Sequence, residues 1–185
     1  VDIVFAGTPD VAVPALEALA DSDHRIRAVL TRPDAPVGRK RVLTPSPVKT
    51  RALELGLPVI EASRLRGDVI TQLRELAVDA VAVVAFGAIA GPAALATARL
   101  GWFNLHFSLL PAYRGAAPVQ RALIDGETTS GVSVFRIDTG MDTGPVLRRL
   151  ELPLDHTDVA AALDDYAHRG AEELVAAFVD LAAGT

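Results

Sequence analysis

Asp79-Ala80-Val81-Ala82-Val83-Val84-Ala85-Phe86 is, after its first residue, small, β-branched or aromatic throughout. An apolar run of this length without polar alternation fits a strand covered on both faces, the situation inside a parallel sheet. The uncharged stretch continues to Ala98. On count alone it is long enough for a bilayer. Gly87, Gly91 and Pro92 interrupt it, however. A strand, a loop and a helix opened by Pro92 account for it better, and no membrane association is expected.

Working outward, the same grammar repeats. Val1–Ala6 reads as a strand, followed by Gly7-Thr8-Pro9-Asp10 and a helix with Val13, Leu16 and Ala20 on one face. His24–Leu30 and Pro58–Ile60 read as strands, and Val48–Leu55 and Asp68–Leu76 as helices. Further on, Gly101–His106, Gly131–Ile137 and Val146–Leu152 read as strands, and Pro118–Ile124 as a helix. Thr157 is the expected cap of a last helix carrying Val159, Leu163, Tyr166, Leu174, Phe178 and Leu181. Strands alternating with helices predict an α/β fold: a doubly wound, mostly parallel, Rossmann-like sheet. Ligands of such sheets bind beyond the carboxyl ends of the strands, near the point where strand order reverses.

With 185 residues, half of them hydrophobic, the chain suits one domain. There is no cysteine, which excludes disulfides, thiolate metal sites and cysteine nucleophiles. No basic leader precedes the first strand, and a cytoplasmic location is expected. The sequence ends Ala182-Ala183-Gly184-Thr185, just past the last helix, and begins at Val1 without an initiator methionine. Both ends read as domain edges.

The net charge of −5 argues against a generic nucleic-acid binder. Its distribution is uneven. Arg32, Arg39, Lys40, Arg41, Lys49 and Arg51 face a single acidic residue, Asp34, between positions 32 and 51. The rest of the chain has 12 basic and 22 acidic residues. Thr31–Pro47, with four prolines and one glycine, reads as a long loop. A structureless loop of this length is uncommon unless it has a use. A phosphate-gripping loop and a solvated surface loop remain equally open on charge alone.

The first turn, Ala6-Gly7-Thr8-Pro9-Asp10, holds one glycine where a dinucleotide fingerprint needs three, and Pro9 removes a backbone donor. No Walker sequence occurs. The richest segment is Phe103-Asn104-Leu105-His106-Phe107-Ser108-Leu109-Leu110-Pro111. Asn104 and His106, two apart on a strand, share one face. An amide can donate to an oxyanion and an imidazole can move a proton. A core histidine beside a polar neighbour fits that spacing equally well. Asp138-Thr139-Gly140-Met141-Asp142-Thr143-Gly144-Pro145 joins two strands and carries two carboxylates. Asp142 is placed to orient His106 if the loop folds back, whereas Asp and Gly also suit a plain turn. His24, His156 and His168 have no motif around them and read as surface or interface residues. Met141 and Trp102 read as packing residues.

Asn-x-His-x-Ser-Leu-Leu-Pro from Asn104, followed by Asp142-Thr143-Gly144, resembles the folate-dependent formyltransferase family. The resemblance spans nearly the whole chain. It implies that Asn104, His106 and Asp142 form the catalytic trio, with 10-formyltetrahydrofolate as co-substrate and no metal. It also implies a donor cleft between two loops, Phe86, Gly87, Ala88 and Ile89 on one side, Ile137, Asp138, Thr139, Gly140 and Met141 on the other. Phe107 departs from the small residue of many members. Phe5-Ala6-Gly7-Thr8-Pro9, Arg114-Gly115-Ala116-Ala117-Pro118 and the basic insertion are similar to the members whose acceptor is initiator methionyl-tRNA. That similarity implies Arg32, Arg39, Lys40 and Arg41 as tRNA contacts. It also implies a monomer and a further C-terminal β-barrel contacting tRNA. Formyl transfer to a small amine, such as a sugar nucleotide or purine precursor, and a non-catalytic folate-binding module are the competing expectations.

Overall fold

The structure, a computed structural model, describes residues 1–155 and 158–184. Their strands are β1 (Asp2–Gly7), β2 (Arg25–Thr31), β3 (Ala35–Val37), β4 (Val42–Thr44), β5 (Val59–Glu61), β6 (Ala80–Val84), β7 (Gly101–His106), β8 (Thr129–Arg136) and β9 (Val146–Pro153). The helices are α1 (Val13–Ala20), α2 (Pro47–Glu54), α3 (Asp68–Glu75), α4 (Pro92–Leu95), α5 (Pro118–Ile124) and α6 (Val159–Ala183). Seven strands form one sheet in the order β5-β2-β1-β6-β7-β8-β9. The first five are mutually parallel, and β8 runs antiparallel to both of its neighbours, β7 and β9. The chain therefore winds outward from β1 on one side, then returns to β6 on the other. The switch point lies between β1 and β6.

Burial follows the predicted grammar. β6 is buried at every position. One face of the sheet packs α1, α2, α5 and α6 through Leu16, Ala52, Val119 and Phe178. The other packs α3 and α4 through Leu73 and Ala94. The edge strand β9 instead alternates, with Arg148 ion-paired to Glu173 and Asp180 of α6. Among the described residues no helix is long and apolar enough to cross a membrane.

Two expectations change. The stretch read as a loop contains an antiparallel hairpin, β3 paired with β4, standing apart from the main sheet. Its strands are three residues long and exposed, so no burial alternation marks them in the sequence. The cap expected at Thr157 lies outside the described residues. The cap that is described is Asp158, whose carboxylate accepts from Ala161 N at 2.8 Å. Of the two readings open for His24, surface or interface, the structure gives the second: its ring meets Phe178 of α6 edge-on at 5.9 Å, and among the described residues its Nε2 is enclosed without a hydrogen-bond partner. Burial holds its pKa below the usual histidine range. His168 does sit exposed on α6, bonded to the Asp164 carbonyl, and His156 lies outside the described residues.

Candidate active site

Period-two geometry on β7 divides its side chains. Phe103, Leu105 and Phe107 enter the core beneath α6. Trp102 enters the opposite core, where its Nε1 donates to Thr97 Oγ1 at 3.3 Å, so it is a packing residue that also lines the cavity. Asn104 and His106 follow Trp102 on its face. The switch point lies one strand away from β7. There Thr8 Oγ1 donates to the Phe86 carbonyl at 2.9 Å, tying the turns after β1 and β6 together. Gly7 makes this approach feasible, since a Cβ there would lie 2.8 Å from the Phe5 ring and 3.0 Å from the Val84 carbonyl.

The loop after β8 does not project away from the sheet. Ile137 N donates to the Trp102 carbonyl at 2.8 Å, beside the start of β7. The chain then runs along that strand until Asp142 reaches its far end. Asp138 Oδ1 accepts from Gly140 N and Thr143 Oγ1, closing the loop on itself. Gly144 lies against the Arg136 carbonyl so closely that a Cβ would stand 1.8 Å from its oxygen. The site thus extends over the face of the sheet as well as beyond its strand ends, because β8 is antiparallel.

The result is a cavity of about 600 Å³. Asn104, His106 and Asp142 line it, as do Phe86, Gly87, Ala88 and Ile89 from one loop and Ile137, Asp138, Thr139, Gly140 and Met141 from the other. Phe107 contributes to its wall while 7% exposed. Met141 is not the packing residue expected from its type: it is 70% exposed at the cavity, as Ile89 is at 89%.

Within this cavity His106 is 7% exposed. Its Nδ1 stands 3.7 Å from Asp142 Oδ2, and its Nε2 is 3.0 Å from the Tyr113 carbonyl. A carbonyl oxygen only accepts, so Nε2 carries the hydrogen and Nδ1 faces the carboxylate. Asp142 Oδ2 also accepts from Gly115 N at 2.7 Å. Asp142 itself has φ +52°, a left-handed conformation that costs about 1–3 kcal/mol in a non-glycine residue and clusters at functional sites. Among the described residues the Asn104 amide makes no hydrogen bond within the chain, so its donors are available to a ligand. The Tyr113 hydroxyl donates to Asp125 and Glu127. Burial, reinforced by these two carboxylates, pushes its pKa to about 12.

The basic residues separate into two groups. Arg39, Lys40 and Arg41 lie exposed at the tip of the β3–β4 hairpin, without an ion pair among the described residues. Val37, Val42 and Leu43 beneath them are also exposed. Arg32 is half-buried at the hairpin base and donates to the carbonyls of Ser63 and Gly87. Lys49 is paired with Asp34 and Glu61, and Arg51 with Glu17 and Glu54.

The chain is thus an α/β domain with a doubly wound sheet and an amide, an imidazole and a carboxylate around one cavity. Residues 1–179 match the formyl transferase family model, and the chain belongs to that family. It is 50% identical over 184 residues to a methionyl-tRNA formyltransferase of Renibacterium salmoninarum, aligning 99% of this chain with 60% of that protein. The chain thus spans about 60% of the length of this curated relative. Among solved structures it resembles glycinamide ribonucleotide transformylase 1 from Symbiobacterium toebii, with a TM-score of 0.81 and 18% identity, covering 100% of this chain and 88% of that one. It also resembles the sugar 3N-formyl transferase WlaRD, solved in the presence of dTDP and 5-N-formyl-THF, with a TM-score of 0.69 and 22% identity, covering 97% of this chain and 62% of that one.

Proposed function

We propose that this chain carries the catalytic centre for formyl transfer from 10-formyltetrahydrofolate to the amino group of methionine on initiator tRNA. The observation that carries this reading is the convergence of Asn104, His106 and Asp142 on one cavity. Its volume of about 600 Å³ falls in the usual range for small-molecule sites, about 300–1,000 Å³. Its backbone-rich, largely apolar loops suit a flat heterocyclic ring, and the neighbour solved with 5-N-formyl-THF has the same fold.

In this reading the Asn104 amide donates to the formyl oxygen as negative charge develops there. The acceptor amine attacks the formyl carbon, forming the new C–N bond, and the bond from that carbon to the folate N10 then breaks. Nδ1 of His106 and Oδ2 of Asp142, 3.7 Å apart, are too far apart for a direct hydrogen bond. Between them they accept the proton that the amine loses. Nδ1 then returns a proton to the departing nitrogen, so no net proton is gained or lost.

The exposed tip residues Arg39, Lys40 and Arg41 favour an RNA acceptor over a small amine, because unpaired cations on an otherwise acidic body attract phosphates. Arg32, bonded to the carbonyls of Ser63 and Gly87, supports the hairpin base. The test is an acceptor comparison: labelled 10-formyltetrahydrofolate offered with methionyl initiator tRNA, a sugar-nucleotide amine and phosphoribosylglycinamide. Preferential labelling of the tRNA is expected. Preferential labelling of either small amine overturns the choice of acceptor, and binding of the donor without transfer to any acceptor overturns the catalytic reading.

A further inference from the structure

We propose that Arg121 is a positioning residue for the catalytic centre: its guanidinium fixes the tautomer of His106 and the orientation of Asp142 through the loop between them. The inference rests on the catalytic reading of His106 and Asp142.

Arg121 lies on α5, outside the cavity lining. Its Nη2 donates to the Tyr113 carbonyl at 2.8 Å and also to the Arg114 carbonyl. The carbonyl of Tyr113 is the same group that accepts from His106 Nε2. Two residues later the same loop supplies Gly115 N to Asp142 Oδ2. One guanidinium therefore grips both the carbonyl that accepts from His106 and the carbonyl of the peptide unit whose N–H donates to Asp142. The backbone here needs holding: Tyr113, Gly115 and Ala117 have φ of +53°, +82° and +53°, and such non-glycine conformations persist only where their surroundings impose them.

The planar fork of arginine suits this task, since it presents several donors in fixed directions. Its cation also lies 5.7 Å from the centre of the Tyr113 ring, and the far end of that ring is anchored by Asp125 and Glu127. Among the described residues Arg121 has no carboxylate partner. Its polar contacts are the two carbonyls, so its charge is directed at the loop. Without it, the Tyr113 carbonyl is free to turn away, the hydrogen on Nε2 loses its acceptor, and the competing Nδ1–H tautomer, facing the Asp142 carboxylate, gains population. That tautomer blocks the nitrogen which must take the amine proton.

The experiment uses the full chain with 15N-labelled histidine, comparing the native protein with Arg121→Met and Arg121→Lys. Long-range 1H–15N correlations report the His106 tautomer directly, and kinetics report kcat and the KM for donor. The native protein is expected to show the Nε2–H form. Arg121→Met is expected to populate the Nδ1–H form, to lose at least about ten-fold in kcat, as general acid–base contributions of about 10²–10⁴ allow, and to keep its donor KM. Arg121→Lys, which can reach one carbonyl, is expected to restore the Nε2–H form and part of the rate. A folded Arg121→Met with native tautomer and native kcat overturns the inference. So does an Arg121→Lys that shows no recovery where Arg121→Met is impaired. If Arg121→Met fails to fold, Arg121→Gln, too short to hold both carbonyls, takes its place, and a folded Arg121→Gln with native tautomer and native kcat overturns the inference equally. The tautomer readout stands apart from turnover. Native protein without formyl transfer therefore refutes the proposed function and leaves the positioning claim to be judged by the ring nitrogens.

Discussion

In the proposed mechanism, replacing Asn104 with alanine removes the donor to the formyl oxygen. Loss of one such donor typically costs about 10²–10³ in turnover. The same range is expected for His106→Ala and for Asp142→Ala, measured as kcat for formyl transfer, with thermal unfolding unchanged within a few degrees for Asn104→Ala. A second prediction concerns His24, which the fold keeps neutral. Burial holds its folded pKa below the ordinary histidine value of 6.5, so the unfolded chain binds the proton more readily than the folded one. The stability this provides is fully present above about pH 6.5 and is lost as pH falls through the depressed folded value. Denaturant midpoints measured from pH 7.5 down to pH 5 should fall, and His24→Leu should flatten that slope. The Asn104-x-His106 pair was legible from strand period alone. The environment of His24 was not, because its partner Phe178 lies far along the chain on α6.

Elements decide where these residues stand. The loop after β8 presents Asp142 because Gly144 lets it pass against the Arg136 carbonyl. Gly144→Ala is expected to cost about 1–3 kcal/mol of stability, the usual penalty for forcing volume into a packed place, and to lower kcat by displacing Asp142. Chemical denaturation and turnover check both halves. The β3–β4 hairpin carries an independent prediction. Alanine at Arg39, Lys40 and Arg41 together should raise the KM for charged tRNA and reduce the slope of its log affinity against log salt by roughly 2, each phosphate contact contributing up to about 0.9. Donor KM should stay constant, and an unchanged salt slope counts against phosphate contact. The sequence marked this segment as basic and proline-rich, which suggested a loop. Its pairing escaped notice because three-residue exposed strands leave no hydrophobic period. The role of Arg121 escaped for a related reason: its ligands are backbone carbonyls, which no side-chain motif announces.

The whole molecule explains why the trio forms where it does. The apolar run of β6 placed a covered parallel strand at the centre, and winding order put the switch point next to it. What the run could not show was that β8 turns antiparallel to both of its neighbours, β7 and β9. That reversal starts the Asp142 loop beside the beginning of β7 and lays it across the sheet, converting a strand-end site into a cavity with two walls. The unpaired cations of the hairpin stand outside that cavity on a chain of net charge −5, so attraction for phosphate is local and not general.

The most direct test is single-turnover transfer of labelled formyl from 10-formyltetrahydrofolate to methionyl initiator tRNA by the native chain and by His106→Ala. The account predicts label on the methionine amino group with the native chain, at a rate at least about 100-fold above that of the folded variant, in line with the loss expected for one catalytic group. Transfer by His106→Ala at the native rate would contradict it.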